Sequence, residues 1–509
     1  MRQAVLANTA ALIGGLLVLS PSVSPVSAQA GGAAPSAACA IDQNKPKELA
    51  LAWLTYTRAQ SAGVGPARDA LLKTLMKDLV DKPEKFASNP GGYNYVLTQL
   101  YSLEIQQPGG MLPSTRGALG LTTRPTEPFD AVTELDAAFD KMEAASPTCK
   151  ADVAQSRTND AWLAITKRAF EASNQGQPDS AIYYAKRSMI LSKDNPFPHH
   201  ILATVAQQKN DVPTAVSEWK QVVQLSGSDT AYKDIKQASQ FYLGVNELTE
   251  AAAKTGEAQK TQARVAAGYL REYLNGNPTS TDAPNVMNNL AQALRLAGDT
   301  AQMKAIYPDM IANPSKYSEA ILTRAGMIAT QVNDSPSALK LFEGAVKVNP
   351  KSRDGLRNVA ATLHTMSQYD RMFTPLRALV AIDPNNYDAT MMFAFASQGV
   401  ATTTKDPAVK KAWADSLIKY QGLADSLKFK VEVTALTFGT AASEVTMTVE
   451  QGTGGGGPFN IMMDFLNAAG ATVSSSTMST GVIAKGEKKI VKFAGKGAGI
   501  VAFQYKRVD

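Results

Sequence analysis

Histidine and cysteine are nearly absent from this chain, whose 509 residues hold three of the first and two of the second. That scarcity removes most metal chemistry, because structural zinc sites draw four closely spaced Cys or His ligands. His199 and His200 follow Pro198 directly. Neighbours on a helix point to different faces, so the two do not form an i, i+4 metal pair. They and His364 read as packing or solvated side chains. No Cys-x-x-Cys, His-Glu-x-x-His or Gly-x-x-x-x-Gly-Lys pattern occurs, which leaves out redox, metalloprotease and phosphate-loop motifs. The glycine run 454–457 is followed by Pro458, not by Lys, and reads as a flexible hairpin connection. A block of one charge sign is missing too. Fifty-one Lys and Arg against 45 Asp and Glu leave a net charge of +6, spread along the chain. This suits solubility rather than nucleic-acid binding. Long hydrophobic runs are also lacking. The run Ala10–Leu19 is short for a membrane span, and no later stretch is apolar enough to cross a bilayer.

What is present describes a folded, exported chain. Hydrophobic residues make up 44% and charged residues 19% of the sequence, as in soluble folded proteins, and the length allows several domains. Arg2 precedes the apolar run, Pro21 and Pro25 follow it, and Val26-Ser27-Ala28 and Ala28-Gln29-Ala30 are small-x-small sites. This order predicts a secretory signal peptide over residues 1–30 and a periplasmic or extracellular mature chain without stable membrane insertion. Residues 31–43 form a Gly/Ala/Pro/Ser-rich linker that contains Cys39. An even cysteine count in an exported protein favours a Cys39–Cys149 disulfide. The long loop it closes would allow about 4 to 5 kcal/mol as an upper figure. Two free thiols remain an alternative. So does a lipid-modified Cys39 after Ala37-Ala38, although Ser36 stands where lipoprotein signals carry an apolar residue.

The middle of the chain repeats. Asn277-Pro278, Asn313-Pro314, Asn349-Pro350 and Asp383-Pro384 stand 36, 36 and 34 residues apart, and each follows an amphipathic stretch. Proline stops a helix because it lacks the N–H and clashes with the preceding turn. Between the stops lie two helical faces. Ile321, Leu322, Gly326 and Ala329 make the first; Ala338, Leu341, Phe342, Ala345 and Val346 make the second. Asn333-Asp334-Ser335-Pro336 is the turn between them. The next unit repeats this with Leu356, Ala360 and Leu363, then Met372, Leu376 and Leu379. Upstream, Ala181–Leu191 and Ala215–Leu225 align at an offset of 34, with Trp219 in a large aromatic position.

This pattern resembles the tetratricopeptide repeat (TPR) family, whose unit is a helix-turn-helix of roughly 34 residues. Gly326, Ala338, Phe342, Ala345 and Pro350 fall at the family's offsets for small, large and helix-stopping residues. The resemblance covers residues 160–425 and departs in two places. The segment 229–276 exceeds one unit and implies an extended or extra helix. Tyr307-Pro308 stands where a second helix should continue. Residues 44–159 read as a further helical region with degenerate repeats. Leu49, Trp53 and Leu54, then Leu71, Leu72, Leu75 and Leu79, make its apolar faces, and the Pro/Gly-rich stretch 107–128 interrupts it. That stretch is either an ordered loop or a flexible insert.

After Asp425 the period changes to two. Phe429, Val431 and Val433 alternate with Lys430 and Glu432, and Val445, Met447 and Val449 with Thr446 and Thr448. Four further runs, 459–466, 472–478, 488–493 and 500–505, complete about six antiparallel strands. Residues 426–509 thus read as a small β-sandwich of immunoglobulin-like architecture, separable from the helices. Lys485, Lys488, Lys489, Lys492 and Lys496 read as a solvated strand face or a protected edge.

The expected fold is therefore mainly α, a TPR-like solenoid followed by a small all-β domain. The resemblance implies a non-catalytic scaffold that binds a protein or peptide; the leader pattern places it in the bacterial cell envelope, and the missing motifs and mixed charge give the expectation of no cofactor, metal or nucleic acid. In such repeats the first helix of each unit lines a concave binding face. Here that helix carries Asn288, Gln292, Arg295, Arg324, Arg357, Asn358 and Thr362. The other readings are an accessory subunit or assembly factor of an outer-membrane or secretion complex, and an enzyme whose site lies outside the repeats.

Overall fold

The computed structural model describes Cys39 and residues 41–508. The expected signal peptide and most of the linker lie outside the described residues. The chain divides into two compact units, one ending at Ile235 and the other beginning at Lys236.

The first unit opens with α1 (Lys47–Ser61), α2 (Pro66–Val80) and α3 (Pro90–Ile105). Arg68 is buried at the end of α1, where its Nε donates to the carbonyls of Ala59 (3.0 Å) and Ala62 (2.8 Å). These are carbonyls that a helix end leaves without intrahelical donors. A two-residue ladder, β1 (Ser114–Thr115) against β2 (Pro128–Phe129), closes the Pro/Gly-rich stretch. That stretch is an ordered loop, because Asp81 gathers it. The Asp81 carboxylate accepts from the backbone N–H (2.7 Å) and hydroxyl (2.8 Å) of Thr122, from Arg116 Nη2 (3.3 Å) and from the Thr123 hydroxyl. Burial pushes this carboxyl up, but the Thr123 and Thr122 donors outweigh it and hold it well below the usual range.

Helices α4 (Ala131–Ala145) and α5 (Lys150–Ser156) follow. Cys149, fully buried between them, is joined to Cys39 by a disulfide with a sulfur–sulfur distance of 2.11 Å. Two helix pairs complete this unit: α6 (Asp160–Asn174) with α7 (Pro178–Leu191), and α8 (Pro196–Gln208) with α9 (Val212–Ser226).

The second unit is built on α10 (Lys233–Ala252) and α11 (Gly256–Gly276), which are 20 and 21 residues long. The overlong segment is thus one pair with lengthened helices. Next come α12 (Ala283–Ala297), α13 (Thr300–Lys304), α14 (Pro308–Ala312), α15 (Glu319–Gln331), α16 (Ser335–Val348), α17 (Arg353–Thr365), α18 (Phe373–Ile382), α19 (Tyr387–Thr403) and α20 (Pro407–Asp425). Tyr307-Pro308 does break the partner of α12 into α13 and α14. The freed Tyr307 hydroxyl donates to Asp334 at 2.9 Å.

One turn recurs between the two helices of a pair. Gly176, Asn210, Gly298, Asn333 and Ser367 all adopt the left-handed conformation, with φ of 67°, 57°, 72°, 56° and 58°. The following N–H reaches back to the last helical turn: Asp211 to Ala206 at 2.8 Å, and Asp299 to Leu294, Asp334 to Ala329 and Gln368 to Leu363 at 2.9 Å. This satisfies end carbonyls and reverses the chain. Asp211, Asp299 and Asp334 then cap the next helix by accepting from the N–H of Thr214, Gln302 and Ser337. Small residues hold the paired helices close. Ala325, Ala329, Ala338 and Ala345 are fully buried, and a Cβ on Gly326 would lie 2.5 Å from the Phe342 ring.

Six strands end the chain: β3 (Phe429–Phe438), β4 (Ala442–Gln451), β5 (Asn460–Leu466), β6 (Thr472–Ser479), β7 (Lys488–Lys496) and β8 (Ala502–Arg507). They form two antiparallel three-stranded sheets, ordered β3-β4-β7 and β6-β5-β8, with inward Phe429, Met447, Ile461, Phe465, Phe493 and Phe503 as the shared core. The glycine run is not a hairpin connection. It carries the chain from β4 in one sheet to β5 in the other, with Gly455 and Gly457 at φ of 77° and 88° and a bridge between Gly452 and Gly455. Hairpin pairing of β4 and β5 would place both inner faces in one sheet and leave no second layer.

The strands are fastened to the repeats through buried polar groups. Asp383 is fully buried and accepts from the Tyr505 hydroxyl (2.7 Å), Arg353 Nε (2.7 Å) and Asn386 Nδ2 (2.8 Å). Asn385 donates through Nδ2 to the Phe429 carbonyl (3.1 Å) and accepts from the Val431 N–H (2.9 Å). Asn349 Nδ2 donates to the Val501 carbonyl at 2.9 Å.

Ala338→Arg should be severely destabilising, because it forces a long cation between α15 and α16. Overpacking and an unpaired buried charge together suggest about 3 kcal/mol or more. Thermal unfolding checks this. An unchanged transition would mean that Ala338 is not at the helix–helix contact.

Candidate protein-binding surface

The first helices of the last four pairs in the second unit are α12, α15, α17 and α19. Their core-facing positions are taken by Leu290, Leu294, Ile321, Leu322, Leu356, Val359, Phe393 and Ala394, all buried. What remains on the other face repeats with the units. Asn288, Arg324, Asn358 and Met392 occupy one position at spacings of 36, 34 and 34 residues, and all four are half-buried. Met327, Ala361 and Phe395 occupy the next at spacings of 34, and all three are exposed. Met327 and Phe395 are 40% and 45% exposed.

Arg324 is the one charged side chain in the first of these two series. Its Nη1 is 3.4 Å from Asn288 Oδ1, a neutral acceptor, and among the described residues no carboxylate comes within ion-pair distance. Burial pushes its pKa below the ordinary arginine value. A half-desolvated guanidinium with a weak neutral partner can take a carboxylate or carbonyl in bidentate geometry.

The remaining candidates separate. Arg295 and Arg357 are exposed and Gln292 is half-buried. Thr362 is 8% exposed and turns its hydroxyl to the Asn358 carbonyl at 2.7 Å, so it is spent within its own helix. His364 packs edge-on against Tyr369 and Phe395 at centroid distances of 5.5 and 6.5 Å. In the first unit His199 Nδ1 lies 2.7 Å from Glu218 Oε2, while enclosure of His200 pushes its pKa down to about 4. Among the described residues no group of three or more His, Cys, Asp and Glu side chains is arranged to hold a metal ion. Three of the clustered lysines pair with acids: Lys488 with Glu450, Lys489 with Glu487 and Lys492 with Glu444. Sequence reasoning named Arg324 but missed Met327 and Phe395. Their alignment at 34 residues was the available signal.

No protein-family model matches the chain, and no curated protein matches it. Solved structures do. A thermophilic TPR protein of Thermus thermophilus is 16% identical over 40% of this chain and 99% of its own, with a TM-score of 0.24. The TPR2AB domain of yeast Sti1, in complex with pHSP90, is 17% identical over 52% of this chain and 98% of its own, with a TM-score of 0.21. YrrB, described as a TPR protein with an unusual peptide-binding site, is 14% identical over 47% of this chain and 95% of its own, with a TM-score of 0.23. These three are TPR proteins. The TPR-like reading of this chain rests on its own period, its left-handed turns and its small-residue contacts. No helix among the described residues is long and apolar enough to cross a membrane.

Proposed function

We propose that this chain is a non-catalytic interaction scaffold of the bacterial cell envelope, and that it takes a protein or peptide segment on the first-helix face of α12, α15, α17 and α19. The observation that carries the reading is Arg324, half-buried without a carboxylate partner, one helical turn from exposed Met327 on a helix face that carries exposed Phe395 two repeats on. Such a face suits an extended segment that presents an acidic or carbonyl group beside large apolar side chains. Its exposed groups include the Met327 thioether, the Phe395 phenyl and the His364 imidazole that packs edge-on against that phenyl. The envelope address rests on the signal-peptide pattern of residues 1–30, and a disulfide between Cys39 and Cys149 suits an oxidising compartment.

Selection of displayed random peptides on the full chain tests the reading. Binders should be enriched in Asp or Glu next to large apolar residues. Arg324→Gln and Phe395→Ser should each weaken them by about 1 to 3 kcal/mol without lowering the unfolding temperature appreciably. Binders indifferent to both substitutions would contradict it.

A further inference from the structure

The four proline stops of the repeat each carry an amide or acid just before the proline, and these side chains divide into two kinds. Asn277 and Asn313 turn back on their own helices. Nδ2 of the first donates to the Tyr273 carbonyl (3.2 Å), and Nδ2 of the second to Asp309 Oδ1 (2.7 Å). Asn349 and Asp383 reach out of the repeats instead. Asn349 Nδ2 donates to the Val501 carbonyl at 2.9 Å, and Asp383 Oδ1 accepts from the Tyr505 hydroxyl at 2.7 Å. The last two stops are therefore held by one stretch of the sandwich, β8 and the residue before it.

Each of these two stops also leads into the cap of a first helix. The Asn349 carbonyl accepts from the Ser352 N–H (2.9 Å), and the Ser352 hydroxyl caps α17 by accepting from the Gly355 N–H (3.0 Å). Asp383 Oδ2 accepts from Asn386 Nδ2 (2.8 Å), and Asn386 Oδ1 caps α19 by accepting from the Ala389 N–H (2.9 Å). Arg353, the first residue of α17, donates to Asp383 at 2.7 Å and joins the two loops directly. The Tyr505 hydroxyl accepts in turn from the Asn385 N–H at 3.1 Å. Burial, then the Asp383 charge, raise the Tyr505 pKa well above its usual value, so the phenol stays a donor. Asn349, Ser352, Asp383, Asn386 and Tyr505 are all buried, and a satisfied buried network is rigid.

We propose that the sandwich is a splint for the repeats: β8 holds the loops before α17 and α19 at a fixed separation, and so sets the spacing of the two helices that carry Ala361 and Phe395. Val501 and Tyr505 are four residues apart, a rise of about 13 Å along extended chain. A strand paired in a sheet keeps that length, whereas a repeat touches only its neighbours and has little else to fix its angle. The loop before α15 lacks this brace among the described residues, since Asn313 bonds within its own helix. The consequence for function rests on the binding-face reading above: the splint presents Phe395 in register with the face helices before it.

Hydrogen exchange and a spin-label distance, both on the full chain, test this. Tyr505→Phe keeps the ring in the sandwich core and removes only the hydroxyl. It should speed exchange of the first-turn amides Leu356 and Thr390 about tenfold and leave Val286 of α12 unchanged. Asn349→Ala should do the same at Leu356; it lies outside the sandwich core, so it serves even if Tyr505→Phe impairs folding. The two native cysteines are joined to each other, so labels at Ala361→Cys and Gln398→Cys, both exposed, report α17 against α19 alone. That distance should shift or broaden in each variant, which a loss of stability without a change of geometry would not produce. An unchanged distance in both variants, or exchange that rises equally at Val286, would overturn the proposal. Neither readout uses a ligand, so failure here leaves the peptide-binding reading standing, and absence of peptide binders leaves the splint.

Discussion

The close approach of Gly326 to the Phe342 ring is the contact on which the repeat architecture turns. Helix axes normally pack 8 to 10 Å apart, roughly as far as the side chains between them require. Here fully buried alanines and one glycine line the contact, and an aromatic ring fills what they leave. The same exchange recurs with other partners. A Cβ on Gly244 would lie 2.6 Å from Leu270, and one on Gly399 would lie 2.2 Å from the Tyr369 ring. Small residue against large residue sets the spacing, and a left-handed turn before the second helix, as at Gly298, Asn333 and Ser367, sets its direction.

The remaining features of the second unit follow from this spacing. Each pair buries its apolar stripe internally and against its neighbours, so the opposite face of the first helix is released from packing. Met327 and Phe395 can therefore be exposed, and Arg324 half-exposed, without loss of the core. The ends of the second helices serve another purpose. Asn349 and Asp383 precede the prolines that stop α16 and α18, and their side chains fasten β8 and the segment before it. Asp383 is fully buried, and removing one partner of such a charge typically costs about 3 to 5 kcal/mol. The sandwich has its own apolar core, but its position is written into the repeat stops.

The repeat pairs and the strands were legible because both depend on local pattern. Asn/Asp-Pro stops at 34 to 36 residues mark the period, and alternation of Val431 with Glu432 or Met447 with Thr448 marks the strands. What the sequence hid was long-range pairing. Nothing near Asp81 announces that it gathers Thr122 and Thr123 some 41 residues away. Nothing near Asp383 announces Tyr505, 122 residues on. The glycine run misled because local flexibility does not distinguish a hairpin from a crossing between sheets. Of the candidate surface, Arg324 was visible as a polar residue on a first helix, whereas its lack of a carboxylate partner is a property of the folded chain.

The close helix contact underlies the repeat packing, and a double-mutant cycle at Gly326 and Phe342 tests it most directly. In an open helix, Gly→Ala stabilises by about 1 kcal/mol. At position 326 the sign should reverse, with destabilisation of about 1 to 3 kcal/mol as the new methyl group meets the ring. In a Phe342→Leu background that penalty should shrink or vanish, giving a coupling energy of about 1 kcal/mol or more. A stabilising Gly326→Ala, or penalties that simply add, would mean that the paired helices do not touch there and that the repeat packing described above is wrong.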